Sequence, residues 1–266
     1  MQAVTGIFFS QAEGERAVGT LRSAGVPNDK ITLLIPGVGD QQLKSAPLDA
    51  AEQPGMGKAI GAVLGAAGGL TGGSLLIAAM VPGVGPVTAA GLLGAAVLAA
   101  AGASVGATAG SSLENFMTKG LPEDEIFVYE DALRKGRTVV IALAEDEAAA
   151  APLRELLQSE GAEAVDAARH QWWIGLRDPE REHYTSSGRN FQNDEKFYRL
   201  GFEAALHARS RCKEFDQVSA EMESNLEDLQ RRYPGVEVTE PFTRGYQRGR
   251  EYYQRLCDES KDSRAA

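Results

Sequence analysis

Three histidines, two cysteines and a few acidic clusters are the groups in this chain that could do chemistry, and their spacing decides whether they do. His170, His183 and His207 are scattered, with no His-x-x-x-His or His-Glu-x-x-His to put two metal ligands on one helix face. Glu123-Asp124-Glu125 and Glu145-Asp146-Glu147 stand where helices are predicted to start. Acids there offset the exposed N–H groups of the first turn, so capping accounts for them without general acid or base work. Cys212 and Cys257 form no Cys-x-x-Cys and fit a reducing compartment. No Ser/His/Asp set stands out. The glycines from Gly57 to Gly73 invite comparison with a phosphate loop, but no Gly-Lys-Ser/Thr follows a strand and their period of four is helical. Catalytic, metal and cofactor residues are therefore all expected to be none, and the protein is expected not to be an enzyme.

The uncharged run is the strongest signal in the chain. Residues 59–113 carry no charge at all. Gly57, Gly61, Gly65, Gly69 and Gly73 recur every fourth residue, and Gly94, Gly102, Gly106 and Gly110 repeat the motif further on. Small residues at i and i+4 let helix backbones approach closely. In water the same glycines would each cost a helix about 0.8–1 kcal/mol. Pro82, Gly83, Gly85 and Pro86 divide the run with a turn, which predicts two helical arms over about 57–81 and 86–119. Each arm exceeds the roughly 20 apolar residues that cross a bilayer. Lys58 and Lys119 flank the pair, so the positive-inside rule predicts insertion in the cytoplasmic membrane with both soluble parts facing the cytoplasm. Membrane lipid and a homo-oligomer are the expected partners. The alternative is a soluble assembly whose hairpins are packed in a protein core.

The elements around this run alternate strand and helix. Ala3–Phe9 is β-prone, Ser10 and Glu13 have capping-box spacing, and Ile31–Ile35 is a second, nearly all apolar strand. A helix is predicted from Pro122 to Gly136, then a strand at Thr138–Ala144, a helix at Glu145–Glu160 and a fourth strand at Ala164–Ala168. Two β-α-β units of this kind predict an α+β fold, a ferredoxin-like split β-α-β sandwich interrupted by the glycine-zipper hairpin. The predicted boundaries are 1–46 and 121–170 for its two halves, with linker and hairpin at 47–120.

Residues 171–190 are predicted to be a polar linker, 191–258 a small helical domain and 259–266 a disordered tail. Trp172 and Trp173 are a possible interface at the lipid headgroups, or else cover the sheet or the domain junction. Tyr198-x-x-Gly201-Phe202 and Phe242-x-x-Gly245-Tyr246 share a pattern in which glycine would let two helices cross closely. Arg244, Arg248, Arg250 and Arg255 are expected to pair with Glu221, Glu223, Glu227 and Asp228. Net charge is −10; residues 1–176 hold 11 basic against 19 acidic side chains, which argues against nucleic acid. Met1–Phe9 has no basic segment of the kind that starts a signal peptide.

Three stretches resemble the bacterial heat-induced general stress protein family: Val4-Thr-Gly-Ile-Phe8, Glu52-Gln-Pro-Gly-Met-Gly-Lys-Ala-Ile-Gly-Ala-Val63, and Tyr129-Glu-Asp-Ala-Leu-Arg-Lys-Gly-Arg-Thr-Val-Val140. The likeness covers roughly residues 1–168. It implies a glycine-zipper hairpin inside a small α/β domain, a role in stress response at the membrane, and no catalytic residues. The helical part beyond resembles an extension found on larger members.

Overall fold

The structure is a computed structural model, and it describes residues 2–37, 76–81, 83–91, 97, 122–207, 210–211 and 219–265. The fold is mixed α and β, with a five-stranded antiparallel sheet and seven α-helices among the described residues. The chain divides into two compact units, Met1–Ala168 and Arg169–Ala266.

In the first unit, β1 (Gln2–Phe8) leads into α1 (Gln11–Ser23) and β2 (Ile31–Pro36). The capping box forms as the sequence predicts: Glu13 N–H donates to Ser10 Oγ (3.3 Å), and Ser10 N–H donates to Glu13 Oε2 (3.2 Å). Then come β3 (Leu76–Val81), β4 (Gly85–Ala90), α2 (Ile126–Arg134), β5 (Thr138–Ala144) and α3 (Glu147–Ser159). The strand order is β1-β5-β2-β4-β3. β5 is antiparallel to both neighbours, with Thr5 opposite Ile141 and Leu33 opposite Val140. All seven of its residues are buried, as a central strand requires. Val4, Phe8, Leu33, Val140 and Ala142 form one core with Val18 and Leu21 of α1 and Leu157 of α3. Tyr129 of α2 meets Thr5, whose side chain alternates with that of Val4, so α2 covers the opposite face.

The middle of the uncharged run departs from the helical reading. Residues 76–81 and 85–90 are strands, not the ends of helical arms. They pair with each other, Ala79 opposite Val87, and β4 pairs with β2, Ile35 opposite Thr88. The physical reason lies in the residues. The glycine period stops at Gly73 and resumes only at Gly94, so 76–90 lacks it. A short apolar run bounded by turn residues serves equally as a buried strand. Gly83 (φ 71°) and Gly85 (φ 104°) adopt the left-handed backbone that the tight connection needs, and Arg134 Nε donates to Gly83 O at 2.5 Å. Pro86 is the second residue of β4, while Pro82 lies outside the described residues. Gly57, Gly61, Gly65, Gly69, Gly73, Gly94, Gly102, Gly106 and Gly110 also lie outside them, and with them the predicted zipper.

The fourth strand expected at Ala164–Ala168 does not form. One antiparallel bridge joins Ile7 to Glu163, and α4 (Val165–Thr185) then begins. Ala-rich sequence with Asp166 in the first turn favours the helix. α4 also replaces the linker expected over 171–190. Its buried positions Ala168, Trp172, Trp173, Glu180 and Tyr184 follow a helical period that its many charges disguise.

The second unit continues with α5 (Phe191–Leu206), α6 (Ser219–Arg232) and α7 (Thr239–Ala265). α7 runs through most of the predicted 259–266 tail. α5 and α7 cross with their backbones touching. A Cβ built on Gly201 would run into the backbone of Phe242, and one on Gly245 into that of Tyr198, so the two aromatic-x-x-Gly-aromatic motifs face each other reciprocally. Phe197, Ala205, Met222, Leu229, Phe242 and Tyr246 form the core that closes around them.

Candidate functional site

Trp172 and Trp173 are core residues of the second unit rather than a surface anchor. They are 3 % and 2 % exposed. Phe202 lies edge-on to both rings, and Trp173 Nε1 donates to Glu195 Oε1 at 3.0 Å. Arg177 also grips Glu195 (2.6 and 2.7 Å), and these hydrogen bonds hold the carboxyl below the ordinary range despite partial desolvation. Amphipathic aromatics take this arrangement when the ring is buried and its N–H must still find an acceptor.

Arg244 and Arg248 of α7 pair with acids outside α6. Arg244 pairs with Glu240 one turn back, and Arg231 and Asp228 pair within α6. Arg248 reaches Glu180 of α4 through Nε (3.0 and 3.2 Å) and Glu251 through Nη1 (2.9 Å). The Glu180 side chain is 3 % exposed, and it also accepts from Tyr198 Oη at 2.7 Å. Burial, then the hydrogen bond and charge of Glu180, raise the Tyr198 phenol far above its ordinary range. Tyr184 donates to Asp194 Oδ2 (2.8 Å) and is raised to about 12 by burial and then by that acceptor. A phenol held neutral in this way is a hydrogen-bond donor and no nucleophile. A pocket of about 200 Å³ opens beside this cluster, flanked by His183, Arg244 and Glu251. Glu180, the buried charge of the cluster, is satisfied by Arg248 and Tyr198.

The first unit offers a different surface. A groove of about 470 Å³ runs along β1 from Gln2 to Thr5, between α3 and residues 162–166. Glu125, Arg154, Glu163 and Asp166 stand on its walls. Beneath it Tyr129 donates to Glu125, and the Thr5 hydroxyl donates to Tyr129 Oη (3.0 Å). Burial, followed by the charge and hydrogen bond of Glu125, raises Tyr129 well above its ordinary range. Nothing in the sequence marked this groove: it exists because the predicted fourth strand gives way to a helix.

No group of three or more metal-binding side chains occurs among the described residues, and His170, His183 and His207 are not brought together in one. Cys257 forms no disulfide among the described residues, and Cys212 lies outside them. No helix among the described residues is long and apolar enough to cross a membrane. No protein-family model matches the chain, and no curated protein or solved structure matches it.

Proposed function

We propose that this is a non-enzymatic, self-associating interaction protein, in which the uncharged glycine-rich segments on either side of the β3–β4 hairpin pack against protein. One observation carries the reading: β3 and β4 belong to the same sheet as β1, β2 and β5. A segment that leaves this sheet and returns to it crosses a bilayer an even number of times or never. Two crossings need about 40 apolar residues, and neither residues 59–75 nor residues 92–113 supply them. Glycines at a helical period then serve close protein packing, the alternative to lipid insertion drawn from the sequence. The first unit is read as ferredoxin-like, because β5 lies between β1 and β2 and Glu163 bridges the free edge of β1. The three stretches that resemble the stress protein family support a role in stress response.

Fractionation of the full chain tests this, with a carbonate wash of the membrane pellet and light scattering of the supernatant without detergent. The expected result is one defined oligomer in the supernatant, made smaller by Gly65→Leu with Gly69→Leu. Retention in the washed pellet with release only by detergent would overturn it in favour of the membrane-anchored form.

A further inference from the structure

We propose that residues 164–167 are a strap, which leaves the first turn of α4 to pair with the open edge of β1 and so closes the groove beside it. The proposal rests on the first unit alone and does not depend on the role of the uncharged run.

The start of the pairing is already made. Ile7 exchanges both backbone hydrogen bonds with Glu163, N–H to O at 3.2 Å and O from N–H at 2.8 Å. Groups on one edge of a strand recur every second residue, so Thr5 and Ala3 point their N–H and C=O the same way, off the sheet. Among the described residues no backbone partner reaches them. Continuing the antiparallel register from Ile7 and Glu163 sets Val165 opposite Thr5 and Ala167 opposite Ala3. The chain turns instead into α4 at Val165. Ala164, Val165 and Asp166 then stand as one wall of the groove of about 470 Å³, with Ala3, Val4 and Thr5 as another. The occupant that the register assigns to this edge is the chain's own next residues, tethered beside it by the bridge.

The exchange is close to balanced. Freeing residues 164–167 opens about four helical bonds, those their C=O groups accept from residues 168–171. The first of these, Ala168 N–H to Ala164 O, is 3.0 Å long. Pairing with Thr5 and Ala3 makes about four in return, two at each hydrogen-bonded pair. Little packing is lost, since Ala164, Asp166 and Ala167 are exposed and Val165 is half-buried. The buried Ala168 stays in place and keeps the rest of α4 helical. The alanines and Asp166 in the first turn favour the open form, while β-branched Val165 and the satisfied edge favour the closed one. Two arrangements of one segment with so little between them make a switch. Closure removes the template that an open edge offers to other chains, so the strap is a cover built into the fold.

The test uses the full chain with Cys212→Ser and Cys257→Ser, carrying Ala3→Cys and Ala167→Cys. Opposed residues of such a pair have Cα atoms about 5.5 Å apart, within the roughly 4.4–6.8 Å that a disulfide spans. An intramolecular disulfide between the two introduced thiols is expected under mild copper–phenanthroline oxidation. Adding Val165→Pro is expected to slow it about tenfold or more, because proline fits the first position of a helix, where the N–H is unbonded, and cannot donate to Thr5. Should the cysteine variants misfold, NMR relaxation dispersion on the otherwise unaltered chain is expected to show one shared exchange process at the amides of Ala3, Thr5 and Ala167, abolished by Val165→Pro. No intramolecular disulfide in a folded variant, a rate indifferent to the proline, or flat dispersion at those amides would each overturn the proposal.

Discussion

Alanine at position 245 gives the sharpest test of the helical unit. Its Cβ would lie 2.8 Å from the carbonyl carbon of Tyr198 and 3.0 Å from Phe202 N, and would press deeper still into the Tyr198 oxygen. Ordinary contact begins at 3.4 Å, and the opposing atoms are backbone, which no rotamer change can move aside. α5 and α7 must separate along their whole crossing. Overpacking of this kind costs about 1–3 kcal/mol, and the rigid neighbour places Gly245→Ala at the upper end. Alanine returns about 1 kcal/mol in helix propensity, leaving a net loss of about 2 kcal/mol. For a unit of this size that lowers the melting temperature by about 8–16 °C. The assay is built in, because the only two tryptophans, Trp172 and Trp173, are buried in this unit, so denaturation followed by their fluorescence reports on it selectively. Gly201→Ala should behave alike, and the double variant should lose less than both losses added, since one separation relieves both clashes. Gly175→Ala is the control: its Cβ meets nothing within 4 Å, so it should be neutral or gain up to about 1 kcal/mol. An unchanged or raised midpoint in Gly245→Ala would refute the close crossing.

Three further outcomes are expected. Gly91→Ala should destabilise the first unit by about 2–4 kcal/mol, because φ there is 114° and a Cβ would sit 2.9 Å from Thr32 Cα; circular dichroism melts unaffected by it would return residues 85–90 to a helix. Glu180→Ala should cost the second unit about 3–5 kcal/mol in chemical denaturation, by leaving Arg248 and Tyr198 facing each other without their acceptor; a loss below 1 kcal/mol would show the network to be dispensable. Tyr184 is raised in the fold to about 12, so it contributes stability that is complete below its unfolded value near 10 and is lost as pH climbs to about 12; tyrosinate absorbance should show delayed ionisation that Asp194→Ala partly removes.

The elements the sequence disclosed are those with local causes. Ser10 and Glu13 announce a helix start within four residues, and Thr138–Ala144 is unbroken β-branched and apolar sequence between two helices. The facing glycines were legible because a repeated aromatic-x-x-Gly-aromatic pattern has few uses other than a close crossing. Features decided by distant partners were hidden. Leu-Ile-Ala-Ala-Met-Val (76–81) suits a helix or a buried strand, and β2 and β4 decide which. Ala164–Ala168 begins like a strand, yet its alanines and Asp166 favour the helix. Glu180 and Arg248 are joined only by the meeting of α4 with α7, so one carboxylate among many gave no sign of its burial. The groove could not be read at all, since it is the space left by a strand that stops.

The position of β5 also sets the order in which the first unit can be made. β5 is the strand that joins β1 to β2, yet Thr138 follows Pro36 by about a hundred residues. At ribosomal rates of about 5–20 residues per second, β1 and β2 wait about 5–20 s for it. The entire uncharged run is synthesised during that interval, before the strand that closes the sheet exists. The nascent chain thus presents its longest uncharged stretch before the strand that completes its sheet has been made.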